Sequence, residues 1–190
     1  MAAVLAALQL AFAPASYAAG KPAHMGFRTA VREYDLPGHG ALTMNVPNTW
    51  DDEVEQPGGE FPPAITLSAN PDDHTRMVLT PLWSRSMRAD FNSPAKVRKL
   101  LERDGREMLP KAEETELDVK EVPRGEGSLY YFTLTGKAPK QGDYKYVTRA
   151  GLGTGGILVM VTILSDSKDS AGLQEALDML KGARNTGGGK

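Results

Sequence analysis

The chain contains no cysteine. That excludes disulfides and thiolate metal sites, and with them the lipidated cysteine that anchors a bacterial lipoprotein. Histidine is almost as scarce. His24, His39 and His74 are the only three, they fall on separate segments, and no H-x-x-x-H pair exists. No apolar run reaches the roughly 18 residues of a membrane-spanning helix. A surplus of one charge is missing too: 22 Lys and Arg stand against 24 Asp and Glu, a net charge of -2. Nucleic acid, which calls for a concentrated basic face, is therefore not an expected partner.

What is present is ordinary globular material, 41% hydrophobic and 24% charged over 190 residues, the size of one domain. The N-terminus stands apart. Met1–Ala18 carries no charge, runs apolar from Ala3 to Ala13 apart from Gln9, and ends in Ser16-Tyr17-Ala18, with small residues at the -3 and -1 positions of a cleavage site. This reads as a secretory signal peptide over 1–18; the alternative is a buried N-terminal helix. Its positively charged n-region is missing, so the true translation start is expected upstream. A flexible leader over 19–26, a single α+β domain over 27–184 and a disordered tail over 185–190 follow. The expected location is periplasmic or secreted, with no stable membrane insertion after cleavage.

Within the domain, strands dominate. Arg28–Tyr34 and Ala41–Val46 flank the turn Pro37-Gly38-His39-Gly40, and Leu42, Met44 and Val46 alternate with Thr43 and Asn45 as in a half-buried strand. Asn48–Pro63 reads as a loop broken by Pro57-Gly58-Gly59 and Pro62-Pro63. Ala64–Ser68 and Met77–Trp83 are strands, with Pro81 pointing to an edge or a bulge. Ser93 caps a helix with Pro94 at its first position, Val97, Leu100, Leu101 and Met108 on one stripe, and Pro110 as the stop. Strands over Leu117–Val122, Leu129–Leu134, Tyr144–Ala150 and Ile157–Leu164 precede a closing helix over Ser170–Arg184. The sum is an α+β fold: an antiparallel sheet of about six to eight strands with helices packed on it, an α-β-α sandwich.

One motif invites an enzymatic reading. Gly151, Gly153 and Gly156 match G-x-G-x-x-G, which places a pyrophosphate at a helix N-terminus. The match holds only where a helix opens directly after it. Here five of the eight residues Ile157–Leu164 are β-branched, which favours a strand. The glycines are read as the turn of a hairpin, and no cofactor is expected.

Other candidates are similarly bland. Asp72-Asp73-His74 holds competent metal ligands, yet Asn70-Pro71-Asp72-Asp73 is strong turn chemistry, so no metal site is expected. Ser128 in Gly125-Glu126-Gly127-Ser128 lacks the spacing of a nucleophile elbow, and no catalytic residue is assigned. The basic residues Lys96, Arg98, Lys99, Arg103 and Arg106 are interspersed with Glu102, Asp104 and Glu107, as on a solvated face. Trp50, Asp51, Asp52 and Glu53 form the candidate partner-binding group, an aromatic beside acids. A core plug is the competing reading for Trp50.

Leu36-Pro37-Gly38 with Leu42–Trp50, the aromatic strand Leu129–Leu134, the pair Tyr144–Val147 and Ile157–Ser165, and the short closing helix together resemble the PsbP-like family over about residues 28–184. That fold, shared by an extrinsic photosystem II subunit, a Ran-binding transport factor and bacterial envelope proteins, implies a non-catalytic domain that binds a partner. Its members bind unrelated partners through different surfaces, so no functional residue carries over. The expectation is an exported interaction or accessory module of the bacterial envelope, its partner another envelope protein. The alternative is a periplasmic small-ligand or metal-binding protein using Asn48–Pro63 as a lid.

Overall fold

A computed structural model describes residues 28–59, 61–69, 73–83, 90–137, 139–140 and 143–187. The expected signal peptide, the leader, His24 and the end of the tail lie outside them.

The elements are β1 (Thr29–Leu36), β2 (Gly40–Pro47), β3 (Asp51–Glu55), β4 (Ala64–Ser68), β5 (Arg76–Leu82), α1 (Pro94–Met108), a 3-10 turn (Leu109–Lys111), β6 (Lys120–Pro123), β7 (Ser128–Thr135), β8 (Tyr146–Thr154), β9 (Ile157–Ser165), α2 (Ala171–Gly182) and β10 (Arg184–Asn185). A seven-stranded antiparallel sheet runs β3-β4-β5-β9-β8-β7-β6, and a smaller sheet runs β1-β2-β10. The α+β sandwich expected from the sequence is the observed architecture, with the small sheet as an added layer.

Alternation along the central strands sorts their side chains to two faces. Leu67, Leu79, Val161 and Leu152 point toward α2 and the small sheet, where Leu42, Met44 and Leu177 meet them. Phe132, Leu134, Leu158 and Met160 point the other way, toward Val97 and Leu101 of α1. Each such fully buried Leu or Val contributes about 1.5–3 kcal/mol. β9 is apolar on both faces because it lies in the middle of the sheet, covered on each side.

Local chemistry explains the helix ends. Ser170 caps α2 by accepting from the Leu173 N–H at 3.1 Å, and Asp73 accepts from the Gly172 N–H at 2.8 Å. At the other end the Arg124 guanidinium donates to the carbonyls of Lys181 and Ala183, placing a cation where the helix dipole favours one. Ser93 stands at the N-cap of α1 with Pro94 following, but its hydroxyl makes no capping bond.

Several expectations are corrected. Asn48–Pro63 is not one loop, since β3 occupies Asp51–Glu55 and pairs with β4; its acidic run hides the strand from propensity, and pairing supplies what propensity does not. β5 is internal, yet its pairing with β4 ends at Leu79. Pro81 therefore lies where β5 has outgrown β4, an edge in the only sense that matters for a missing N–H. The strand expected over Leu117–Val122 begins at Lys120, because Leu117 and Val119 turn to pack in the α1 cluster. The tail is ordered through Thr186, whose N–H reaches the Ala41 carbonyl at 2.9 Å after Arg184–Asn185 pair with β2.

The glycine motif folds as a hairpin. β8 continues through Gly151 and Gly153 to Thr154, and only Gly155 and Gly156 form the turn. Gly155 has φ +51, at the first central position, where a type II′ turn requires glycine. Gly153 serves a close approach instead: a methyl group there would overlap the Asn92 carbonyl oxygen.

Candidate functional site

Trp50 ends the connection from β2, and the chain then reverses into β3. Its ring is 1% exposed and plugs the core, and its indole N–H donates to the Glu175 carboxylate on α2 at 2.7 Å. Trp50 is therefore withdrawn from the partner-binding group: a ring that closes the core offers no face to a partner. The acids beside it are all exposed. Period-two geometry splits them. Asp52 lies on the core side and pairs with Arg32, which also donates to the Trp50 carbonyl. Asp51 and Glu53, with Glu55, line the opposite face at every second residue, opposite Ser68, Thr66 and Ala64 of β4. These three carboxylates have no ion-pair or hydrogen-bond partner among the described residues.

β3 is an edge of the large sheet, so among the described residues one side of its backbone faces no strand. Val54, 46% exposed on that strand, and Phe61, 57% exposed just beyond it, are two of the exposed large apolar side chains. The pairing that holds β3 to β4 takes Asp51–Glu55 out of the lid envisaged over Asn48–Pro63. Behind β3, Tyr34 is buried next to Asp52 without a well-directed hydrogen bond. Burial and the Asp52 carboxylate push its hydroxyl up to about 12.

A second concave region lies on the other half of the sheet. A cleft of about 610 Å³ opens between the C-terminal half of α1, the turn that follows it and the ends of β7, β8 and β9. Met108, Ala112, Leu134 and Val147 supply apolar walls, and two acids, Asp104 and Glu107, and two bases, Lys111 and Arg149, the charge. Arg149 rises from the middle of the sheet, its side chain 25% exposed, and donates to Asp104 at 3.1 Å and to the Thr162 hydroxyl. Arg149 was not singled out from the sequence, and Asp104, read there as part of the solvated face of α1, instead turns to the sheet, although a signal was there. Asp104 stands seven residues after Val97 and three after Leu101, on the apolar stripe of its helix. Arg149 occupies an alternate position between Val147 and Gly151.

The remaining candidates fall apart or are structural. His39 stacks on Trp83 with ring centroids 4.3 Å apart, while His74 lies 3.6 Å from Asp166. Asp73, as the α2 cap, is already committed. Ser128 donates to Glu121, which also accepts from Tyr130; these bonds hold the Glu121 carboxyl below its usual range. On α1, Arg98 and Arg106 both pair with Glu102, and Lys96 pairs with Asp90, a solvated network of small energetic weight.

Among the described residues no helix is long and apolar enough to cross a membrane. No protein-family model and no curated protein matches the chain. Solved structures are similar to it, two of which follow. One is a protein from Bacteroides thetaiotaomicron VPI-5482, at 16% identity and TM-score 0.47, with 76% of this chain and 44% of that one covered; the chain spans less than half of that protein's length. The other is the solution structure of cyanobacterial PsbP (CyanoP) from Synechocystis sp. PCC 6803, at 10% identity and TM-score 0.48, with 88% of this chain and 98% of that one covered. At these identities and TM-scores neither likeness carries a role over to this chain.

Proposed function

We propose that this chain is an exported, non-catalytic accessory module of the bacterial envelope that docks a partner protein along the free edge of β3. The observation that carries the reading is the row of Asp51, Glu53 and Glu55 on an edge strand whose outer side is unpaired among the described residues. An extended segment laid antiparallel on that edge takes main-chain hydrogen bonds from β3. Lys or Arg at alternate positions of that segment meet the three carboxylates. The partner is therefore a protein with a basic extended segment, and its binding weakens as salt screens the exposed charges. The charge-free segment Met1–Ala18 with its Ser-Tyr-Ala end supports export.

The test is a crosslinking pull-down from the native cell envelope with the wild-type protein and with Asp51→Ser/Glu53→Ser/Glu55→Ser. Trp50 is left intact, because its loss damages the core and mimics loss of docking. A dominant partner retained by the wild type and lost by the triple variant, at unchanged melting temperature, supports the reading. A partner that ignores the triple substitution, or turnover of an ester, phosphate or glycoside panel, overturns it.

A further inference from the structure

We propose that the cleft beside Arg149 is a binding site for a small amphipathic carboxylate, separate from the β3 edge. Three observations converge on it. The first is size: about 610 Å³ falls within the roughly 300–1,000 Å³ of small-molecule sites. The second is the wall, in which the part-exposed Met108 and Val147 leave apolar surface facing the opening, backed by the buried Ala112 and Leu134. An apolar ligand body covers that surface.

The third is Arg149. A guanidinium carries five N–H donors in a planar fork. Two bonds engage it here, one to Asp104 and one to the Thr162 hydroxyl. The other donors have no protein partner among the described residues, and Arg149 lines the cleft. A pair of apolar side chains would hold α1 to the sheet as well as a partly buried ion pair does, often better. The pair is better suited to recognising a charge. A ligand carboxylate accepts from the spare donors of the fork; of the other charges lining the cleft, Lys111 is a second cation and Glu107 a second acid. Asp104 already neutralises part of the guanidinium charge, so it sets the affinity by competing with the ligand. The strand of the site nearest β3 is β9, with β4 and β5 between them, so failure of this site leaves the docking reading standing, and the reverse.

The experiment compares octanoate, octanol and octylammonium, three probes with one tail and different heads. Their binding to the protein is followed by calorimetry and by NMR shifts of the Met108, Leu134 and Val147 methyls. Octanoate is expected to bind at least about tenfold more tightly than octanol, the weight of one charge-assisted hydrogen bond. Octylammonium should bind no better than octanol. Asp104→Asn, which keeps the shape and removes the competing charge, should tighten octanoate several-fold and leave octanol unchanged. Arg149→Gln should erase the preference for octanoate. Equal binding of octanoate and octanol, a preference for octylammonium, shifts located elsewhere, no binding by any probe, or weaker octanoate binding in Asp104→Asn each overturn the proposal.

Discussion

The indole N–H of Trp50 donates to the carboxylate of Glu175 at 2.7 Å, across 125 residues of chain. One side chain thus ties the start of the acidic edge strand to α2. The ring is fully enclosed in the core between the large sheet and that helix, while its polar atom reaches a half-buried acceptor, as a buried tryptophan requires.

Trp50→Phe removes this bond and part of the ring, and should destabilise the fold by about 2 kcal/mol. Trp50→Ala should cost about 3–5 kcal/mol. At about 2–4 °C per kcal/mol for a domain of this size, thermal unfolding separates the two. A Trp50→Ala protein that melts like the wild type would contradict the plug.

Gly153→Ala should cost about 1–3 kcal/mol, because the new methyl overlaps the Asn92 carbonyl and forces the backbone apart. Gly156→Ala, where nothing lies close, is the control and should be nearly neutral. Denaturant midpoints of the two variants decide the matter. They also test the hairpin reading of the glycine motif, since a pyrophosphate loop would not single out Gly153 for packing.

Glu114 links the start of the β6 connection to β7. Partial burial raises its pKa, but the Thr135 N–H at 2.8 Å and hydroxyl at 2.7 Å outweigh that and hold the carboxyl below an ordinary glutamate. A folded value below the unfolded one means stability that is present above the unfolded pKa and lost as pH falls through the folded one. Glu114→Gln should therefore be less stable than wild type at neutral pH, and the gap should close as pH falls below 4.5. Melting temperatures across that range give the answer.

Tyr34 should titrate above the ordinary range of a tyrosine. Its folded value of about 12 exceeds the ordinary 10.0, so the neutral hydroxyl contributes stability that is complete below pH 10 and lost as pH rises through 12. Tyrosinate absorbance in wild type and Tyr34→Phe isolates this step. A difference spectrum that titrates near 10 would contradict the burial of the hydroxyl beside Asp52.

The carboxylates of β3 also guard an open edge. Neutralising Asp51, Glu53 and Glu55 should promote edge-to-edge association at high protein concentration, with little change in melting temperature. Sedimentation velocity on wild type and the triple variant measures it.

Periodicity alone placed most of the fold. The alternation of Leu42, Met44 and Val46, the β-branched run Ile157–Leu164 and the stripe Val97, Leu101 and Met108 are local signals whose period matches the element that buries them. The helix signals Pro94 and Ser170 are local as well, since a cap acts within one turn. The same locality argued correctly against a nucleotide loop at Gly151–Gly156. What local signals could not settle were matters of partnership. β3 is a strand because β4 offers it a ladder, Pro81 is tolerated because β4 ends before it, and Arg184–Asn185 is held because β2 lies beside it. Whether Trp50 faced a partner or the core depended on α2, more than a hundred residues away. The meeting of Asp104 with Arg149, and the cleft beside them, needed α1 to settle across β7 and β8. Sequence determines which faces must be buried; only packing in three dimensions decides what covers each face and which charges are left looking into the gap.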